Sequence, residues 1–76
     1  MTDFVLPPIA EGVHIAHVSY WHRNAGDNVK IGEDLVELVT DKATFSLQAP
    51  VSGLLKEVLA SEGDEVKVGH VLARIE

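Results

Sequence analysis

Two stretches of this chain repeat one another without a gap, and that duplication constrains the fold more than any other feature. Gly26-Asp27-Asn28-Val29-Lys30-Ile31-Gly32 is followed three residues later by Leu35, and Gly63-Asp64-Glu65-Val66-Lys67-Val68-Gly69 is followed three residues later by Leu72. Upstream, Phe4-Val5-Leu6 and Gly12 match Phe45-Ser46-Leu47 and Gly53 in a register that differs by four residues. The first half is therefore expected to carry a short insertion between Gly12 and Gly26, placed near Val13 to Ala16. Two copies do not make a stacked array. Two similar halves that each expose an apolar face bury those faces against one another, which predicts a closed body with a pseudo-two-fold axis.

The elements read as strands. Glycines and prolines punctuate the chain every few residues, and no stretch of helical length shows a 3.6 period. Ala43, Phe45 and Leu47 alternate with Thr44, Ser46 and Gln48, the pattern of a half-buried strand. The apolar segment Leu35 to Thr40 precedes it, and a two-residue turn at Asp41-Lys42 joins the two. That turn sets Thr40 opposite Ala43, Leu38 opposite Phe45 and Val36 opposite Leu47. The large apolar partners then share one face, with Glu37 and Ser46 on the other, and a slip of one residue destroys the agreement. Further strands are expected over roughly Asp3 to Leu6, His17 to His22, Leu54 to Leu59 and Val71 to Ile75. Short ones are expected near Asn28 to Lys30 and Glu65 to Lys67, and the Gly-Asp and Lys-x-Gly pieces of the repeat are read as turns around them. The predicted fold is all-β, a flattened barrel or sandwich of two antiparallel sheets.

A chain of 76 residues is a single domain, residues 1–76, with a small core. It has no cysteine, which excludes disulfide support, a thiol nucleophile, a zinc ribbon and an iron–sulfur cluster. The net charge of −6 lacks the basic footprint that nucleic-acid binding requires. An acidic surface is steered toward basic protein surfaces or simply keeps the chain in solution. No apolar run approaches a membrane span and no signal peptide precedes Phe4-Val5-Leu6, so the expectation is a soluble, intracellular domain; as an isolated domain it is expected to be a monomer.

The repeat supplies an internal control for chemistry. Lys30 and Lys67 hold equivalent places in the two copies, and duplicated residues are most simply explained by the fold. Lys42 has no counterpart, because its equivalent position falls at the chain ends. From position alone, a lysine at a hairpin tip is either a solvated charge or a displayed functional group. Asp41 is equally a turn former, and Ala43 is small enough to keep the turn tight.

Thr40-Asp41-Lys42-Ala43-Thr44, between two strands of a duplicated β domain, resembles the attachment site of the lipoyl domains of 2-oxo acid dehydrogenase acyltransferases. The resemblance runs through nearly the whole chain: Leu6-Pro7-Pro8-Ile9-Ala10-Glu11-Gly12-Val13, Trp21-His22, Gly26-Asp27 through Leu35, and Ala49-Pro50-Val51-Ser52-Gly53. The family often has Gly at Ala10, Glu-Gly-Glu at Ile15-Ala16-His17, and Glu at Val39. The first two departures fall in or beside the inserted loop, which in the family helps the decarboxylase recognise its own domain.

The resemblance implies lipoate in amide linkage on Lys42, and a domain that displays the arm without catalytic groups of its own. Asp41 and Ala43 beside the lysine, and Glu11, Gly12, Val13 and His14 in the loop, are the implied recognition residues. The implied partners are a thiamine-diphosphate-dependent 2-oxo acid decarboxylase, an acyltransferase core, a flavin-containing dihydrolipoamide dehydrogenase and the lipoylating enzymes. Pyruvate is the expected 2-oxo acid, with branched-chain acids next, in the bacterial cytoplasm or, in a eukaryote, the mitochondrial matrix.

Other functions fit the residues less well. A biotinyl carrier domain shares the fold, but that family flanks its lysine with methionines, and the single methionine here is Met1. Unmodified export-adaptor β domains split their halves with a long helical insertion that this chain lacks. Among the four histidines, His14 and His17 point to opposite faces of a strand, and His22 and His70 lie in different halves. None has recognisable metal-ligand spacing. Of the neighbours Tyr20 and Trp21, one is expected to pack inward.

Overall fold

The computed structural model describes residues 2–76. Its elements are β1 (Thr2–Val5), β2 (Ile15–Trp21), β3 (Asn28–Val29), β4 (Asp34–Val39), β5 (Thr44–Gln48), β6 (Gly53–Val58), β7 (Glu65–Lys67) and β8 (Val71–Ile75). They form two four-stranded sheets, in the orders β1-β8-β6-β3 and β5-β4-β2-β7, with every pairing antiparallel. Exchanging the halves, β1 for β5 through β4 for β8, turns the first order into the second. The pseudo-two-fold sandwich that the repeat predicts is the fold.

The symmetry reaches individual backbone pairs. Val18 opposes Leu38 and, 37 residues on, Leu55 opposes Ile75. Asn28 opposes Leu54 as Glu65 opposes His17. Even the irregularity is duplicated, between Val18 and Tyr20 and again between Leu55 and Glu57. The Gly-Asp turns match too. Asp27 accepts a hydrogen bond from the Asn24 N–H at 2.8 Å, and Asp64 accepts one from the Ser61 N–H at 2.8 Å. A carboxylate bonding to nearby backbone is what makes Asp a turn residue.

One sequence alignment needs correction. Phe4 opposes Ala73, and the equivalent partner of Val36 is Leu47, not Phe45. Leu6 exchanges backbone hydrogen bonds with the turn before β8 as Ala49 does with the turn before β4. The first strand thus matches 43 residues on, two further than sequence identity indicates. A Phe-x-Leu pattern has the period of a strand, so a shift of two leaves every side chain on its proper face and is invisible to pattern matching. Ile15 and Ala16, expected within the insertion, pair with Lys67 and Val66 inside β2. The insertion is therefore six residues long and lies upstream: nine residues (7–15) join Leu6 to Ala16 where three (50–52) join Ala49 to Gly53. Gly53 answers to Ala16, not Gly12. It is glycine because a Cβ there would run into the backbone carbonyl of Glu76.

The core lies between the sheets and is built from repeat-related pairs: Leu35 with Leu72, Val18 with Leu55, Val29 with Val66, and Leu38 with Ile75, all buried. Each such side chain contributes about 1.5–3 kcal/mol through burial. Trp21 is the inward member of its pair, its Nε1–H donating to the Ala60 carbonyl at 2.7 Å and its ring edge-on to Phe4, while Tyr20 is exposed. No polar or charged residue is buried among the described residues. Any chemistry therefore belongs to the surface.

Candidate functional site: the Lys42 hairpin

The hairpin register agrees with the sequence reading. Val36 opposes Leu47, Glu37 opposes Ser46 and Leu38 opposes Phe45, and the Thr40 N–H donates to the Ala43 carbonyl at 2.9 Å. Asp41 and Lys42 are left as the two tip residues, both exposed. Ala43 is exposed as well.

Thr40, which the sequence places opposite Ala43 and at the head of the hairpin motif without giving it a role, organises the turn. Its hydroxyl oxygen accepts from the Lys42 N–H at 3.2 Å and the Ala43 N–H at 3.1 Å, and the hydroxyl donates to the Ala43 carbonyl at 2.9 Å. A Ser or Thr hydroxyl turned onto neighbouring backbone is a known turn former. Nothing in sequence periodicity reveals it, because the interaction is local.

The loop between β1 and β2 reaches this tip. Lys42 Nζ donates to the Glu11 carbonyl at 3.1 Å. The loop turns there through an Ala10–Val13 backbone hydrogen bond of 3.2 Å, with Gly12 at a φ of 78°. That is the third position of the turn, where a positive φ favours glycine. A Cβ on Gly12 would stand 3.3 Å from Lys42 Nζ, so glycine also leaves room for the ammonium. Val13 is buried and Ile9 packs on the core, pinning the loop on both sides of the turn.

Of the expected recognition residues, Asp41, Ala43, Glu11 and Gly12 are brought together around Lys42. Val13 anchors the loop from inside and displays no side chain. The His14 side chain is exposed, and its carbonyl accepts from the Val68 N–H at 3.0 Å. A cleft of about 320 Å³ separates Gly12 to Ile15 and His17 from Thr40 and Asp41. Ile15 and His17 on its wall are additions to the expected set. A larger open cleft, about 460 Å³, contains the repeat-related pairs Trp21/Val58 and Asn24/Ser61. It follows from the two-fold and holds none of these residues.

Among the described residues, no carboxylate pairs with Lys42. No three His, Asp or Glu side chains group as metal ligands would. What the tip offers is a primary amine, exposed on a fixed turn, held by one carbonyl that releases it without leaving a buried group unpaired. That fits acylation of Nζ by a carboxylic acid.

Comparison with known proteins agrees. The model of the biotin/lipoyl family, described as "Biotin-requiring enzyme", matches residues 2–75. The chain is 43% identical over 75 residues to a dihydrolipoyllysine-residue succinyltransferase of the 2-oxoglutarate dehydrogenase complex from Bartonella vinsonii, covering 99% of this chain and 18% of that protein. It is 40% identical over 74 residues to a dihydrolipoyllysine-residue acetyltransferase of the pyruvate dehydrogenase complex from Corynebacterium glutamicum, covering 97% and 11%. The chain thus spans under a fifth of the length of these two relatives. The solution structure of the lipoyl domain of the 2-oxoglutarate dehydrogenase complex from Azotobacter vinelandii superposes with a TM-score of 0.80 at 30% identity, covering 100% of this chain and 96% of that one. With fold and sequence shared over nearly the full length of both, the chain belongs to the biotin/lipoyl family and is a lipoyl domain within it.

Proposed function

We propose that Lys42 carries a lipoyl group in amide linkage, and that the domain presents this arm to successive active sites of a 2-oxo acid dehydrogenase complex. The observation that carries the proposal is the lysine's placement: exposed on a two-residue hairpin tip, with no carboxylate partner among the described residues. Bound there, lipoate supplies a dithiolane that takes up an acyl group with two electrons. The chain's own residues display and are recognised. Strands β4 and β5 hold the tip rigidly, as a modifying enzyme requires of its target. Asp41, Ala43 and the Glu11–Gly12 turn form the surface read by the decarboxylase, and His14 belongs to the same rim.

The partners in this reading are the thiamine-diphosphate-dependent decarboxylase, the acyltransferase core, the dihydrolipoamide dehydrogenase and the lipoylating enzymes, in the bacterial cytoplasm. The domain acts as a carrier, and tethering to the core raises the arm's effective concentration at each site. The acyl group comes from pyruvate or from 2-oxoglutarate. Both acids are named in the complexes of the relatives.

Intact mass before and after incubation with lipoate, ATP and a lipoate–protein ligase tests the attachment. The expected result is one added lipoyl group that maps to Lys42 and is absent in Lys42→Ala. No addition, with the same ligase active on a control domain, rejects lipoylation and turns attention to a biotin ligase. Acylation of the lipoylated domain by pyruvate and 2-oxoglutarate decarboxylases, run in parallel, assigns the acid.

A further inference from the structure

The hairpin tip contains a device that its backbone conformation calls for. Two-residue hairpin connections are favoured when central residues take positive φ, because that twist matches the flanking strands. Among the described residues every positive φ belongs to a glycine, so neither Asp41 nor Lys42 takes that route. In a closed turn the Ala43 N–H would reach the Thr40 carbonyl. It donates instead to Thr40 Oγ1, which also receives the Lys42 N–H, and the same hydroxyl donates to the Ala43 carbonyl. A hydroxyl has one hydrogen to donate and two lone pairs. All three are used inside the turn that bears Lys42.

We infer that Thr40 is a positioning residue for the covalent modification of Lys42, an inference that rests on Lys42 being the lipoylated residue. In that modification Nζ gives up two protons and forms an amide with the lipoyl carboxyl. ATP is the co-reactant: the lipoyl carboxylate takes up its α-phosphate as pyrophosphate leaves, and when Nζ forms the amide the carboxyl oxygen departs on AMP. Thr40 touches none of these atoms. It holds the backbone N–H groups of Lys42 and Ala43, and so fixes where the lysine side chain sets out from the body.

The tip is exposed, so water replaces the hydroxyl's hydrogen bonds when it is removed, and the domain remains folded. The turn then spends less time in the conformation that the modifying enzyme takes up. An affinity measured against a fractionally populated conformation weakens by that fraction. The loss therefore falls on KM for the domain and leaves kcat nearly unchanged.

The test compares wild type, Thr40→Val and Thr40→Ser as substrates of a lipoate–protein ligase. Melting temperature and amide hydrogen exchange at Lys42 and Ala43 are measured on the same samples. Valine keeps the shape without the hydroxyl, and serine keeps the hydroxyl without the methyl. The expected result for Thr40→Val is a KM raised on the order of 10-fold, faster exchange at both amides and a nearly unchanged melting temperature. Thr40→Ser should restore KM and exchange. A wild-type KM for Thr40→Val overturns the inference, and so does a raised KM that serine does not rescue. If wild type itself is not modified at Lys42, it is the attachment reading that fails. Exchange then still tests the positioning, because equal rates in wild type and Thr40→Val reject it.

Discussion

Replacing Gly12 by alanine separates two things the loop does: bending the chain and meeting Lys42. Gly12 has a φ of 78°, and a Cβ there would lie 3.3 Å from Lys42 Nζ. Gly69 provides the control, with a φ of 92° and no heavy atom within 4 Å of where a Cβ would stand. Both alanines bear the cost of a left-handed conformation, about 1–2 kcal/mol. For a domain of this size each kcal/mol lowers the melting temperature by about 4–8 °C. Only at Gly12 does the new methyl crowd the lysine, whose flexible end swings away from the Glu11 carbonyl. An exposed contact of that kind is worth under about 1 kcal/mol. The two variants should therefore lose similar stability and differ in function.

The assay pairs thermal unfolding with the rate at which the cognate decarboxylase acylates each lipoylated variant, well below both melting temperatures. Gly12→Ala should slow acylation, because it reshapes the Glu11–Gly12 turn beside Lys42. Gly69→Ala should acylate like wild type. Equal slowing by both would mean that lost stability is the cause. Wild-type rates in both would remove the loop from recognition altogether.

Two further outcomes follow from the same geometry. Asp41 is exposed and its carboxylate takes part in no hydrogen bond or ion pair among those described, so Asp41→Ala should leave the melting curve nearly unchanged while slowing acylation. A large fall in melting temperature with normal acylation would make Asp41 a turn residue instead. Leu35 and Leu72 are repeat-related and fully buried, so Leu35→Ala and Leu72→Ala should each cost about 2–5 kcal/mol in denaturant unfolding, by similar amounts. A wide gap between the two would show that the halves of the core are unequal in packing.

Legibility in the sequence followed periodicity. The β4–β5 register was readable because Val36, Leu38, Phe45 and Leu47 cannot share a face in any neighbouring register. The turns at Asp27 and Asp64 were readable because the residues that make them are duplicated. The first strand was misaligned by two because alternation is indifferent to an even shift, and identity at Phe4 and Phe45 then selected the wrong register. At the site, Lys42 stood out because the hairpin register left it at the tip. Its contact with Glu11 did not, because the group that receives Nζ is a backbone carbonyl, which every residue has. Thr40 was hidden for a related reason: its hydroxyl bonds to its neighbours' backbone, so neither spacing nor a partner side chain points to it.

The meeting of loop and lysine is a consequence of topology. β2 and β4 are antiparallel neighbours, with His17 opposite Val39, so the chain entering β2 lies beside the chain leaving β4. Lengthening the connection into β2 therefore adds residues at the Lys42 hairpin. The related place in the second half is the entry to β6, where Leu54 exchanges hydrogen bonds with Glu76 at 3.0 and 2.8 Å. There the connection stays at three residues and Gly53 is pressed against the Glu76 backbone. A symmetric frame thus acquires an asymmetric feature at the position where it touches Lys42. Neither Ala10 nor the exposed Ile15 and His17 belongs to the buried core. Differences at these positions therefore change the surface beside the hairpin while the sandwich beneath stays the same.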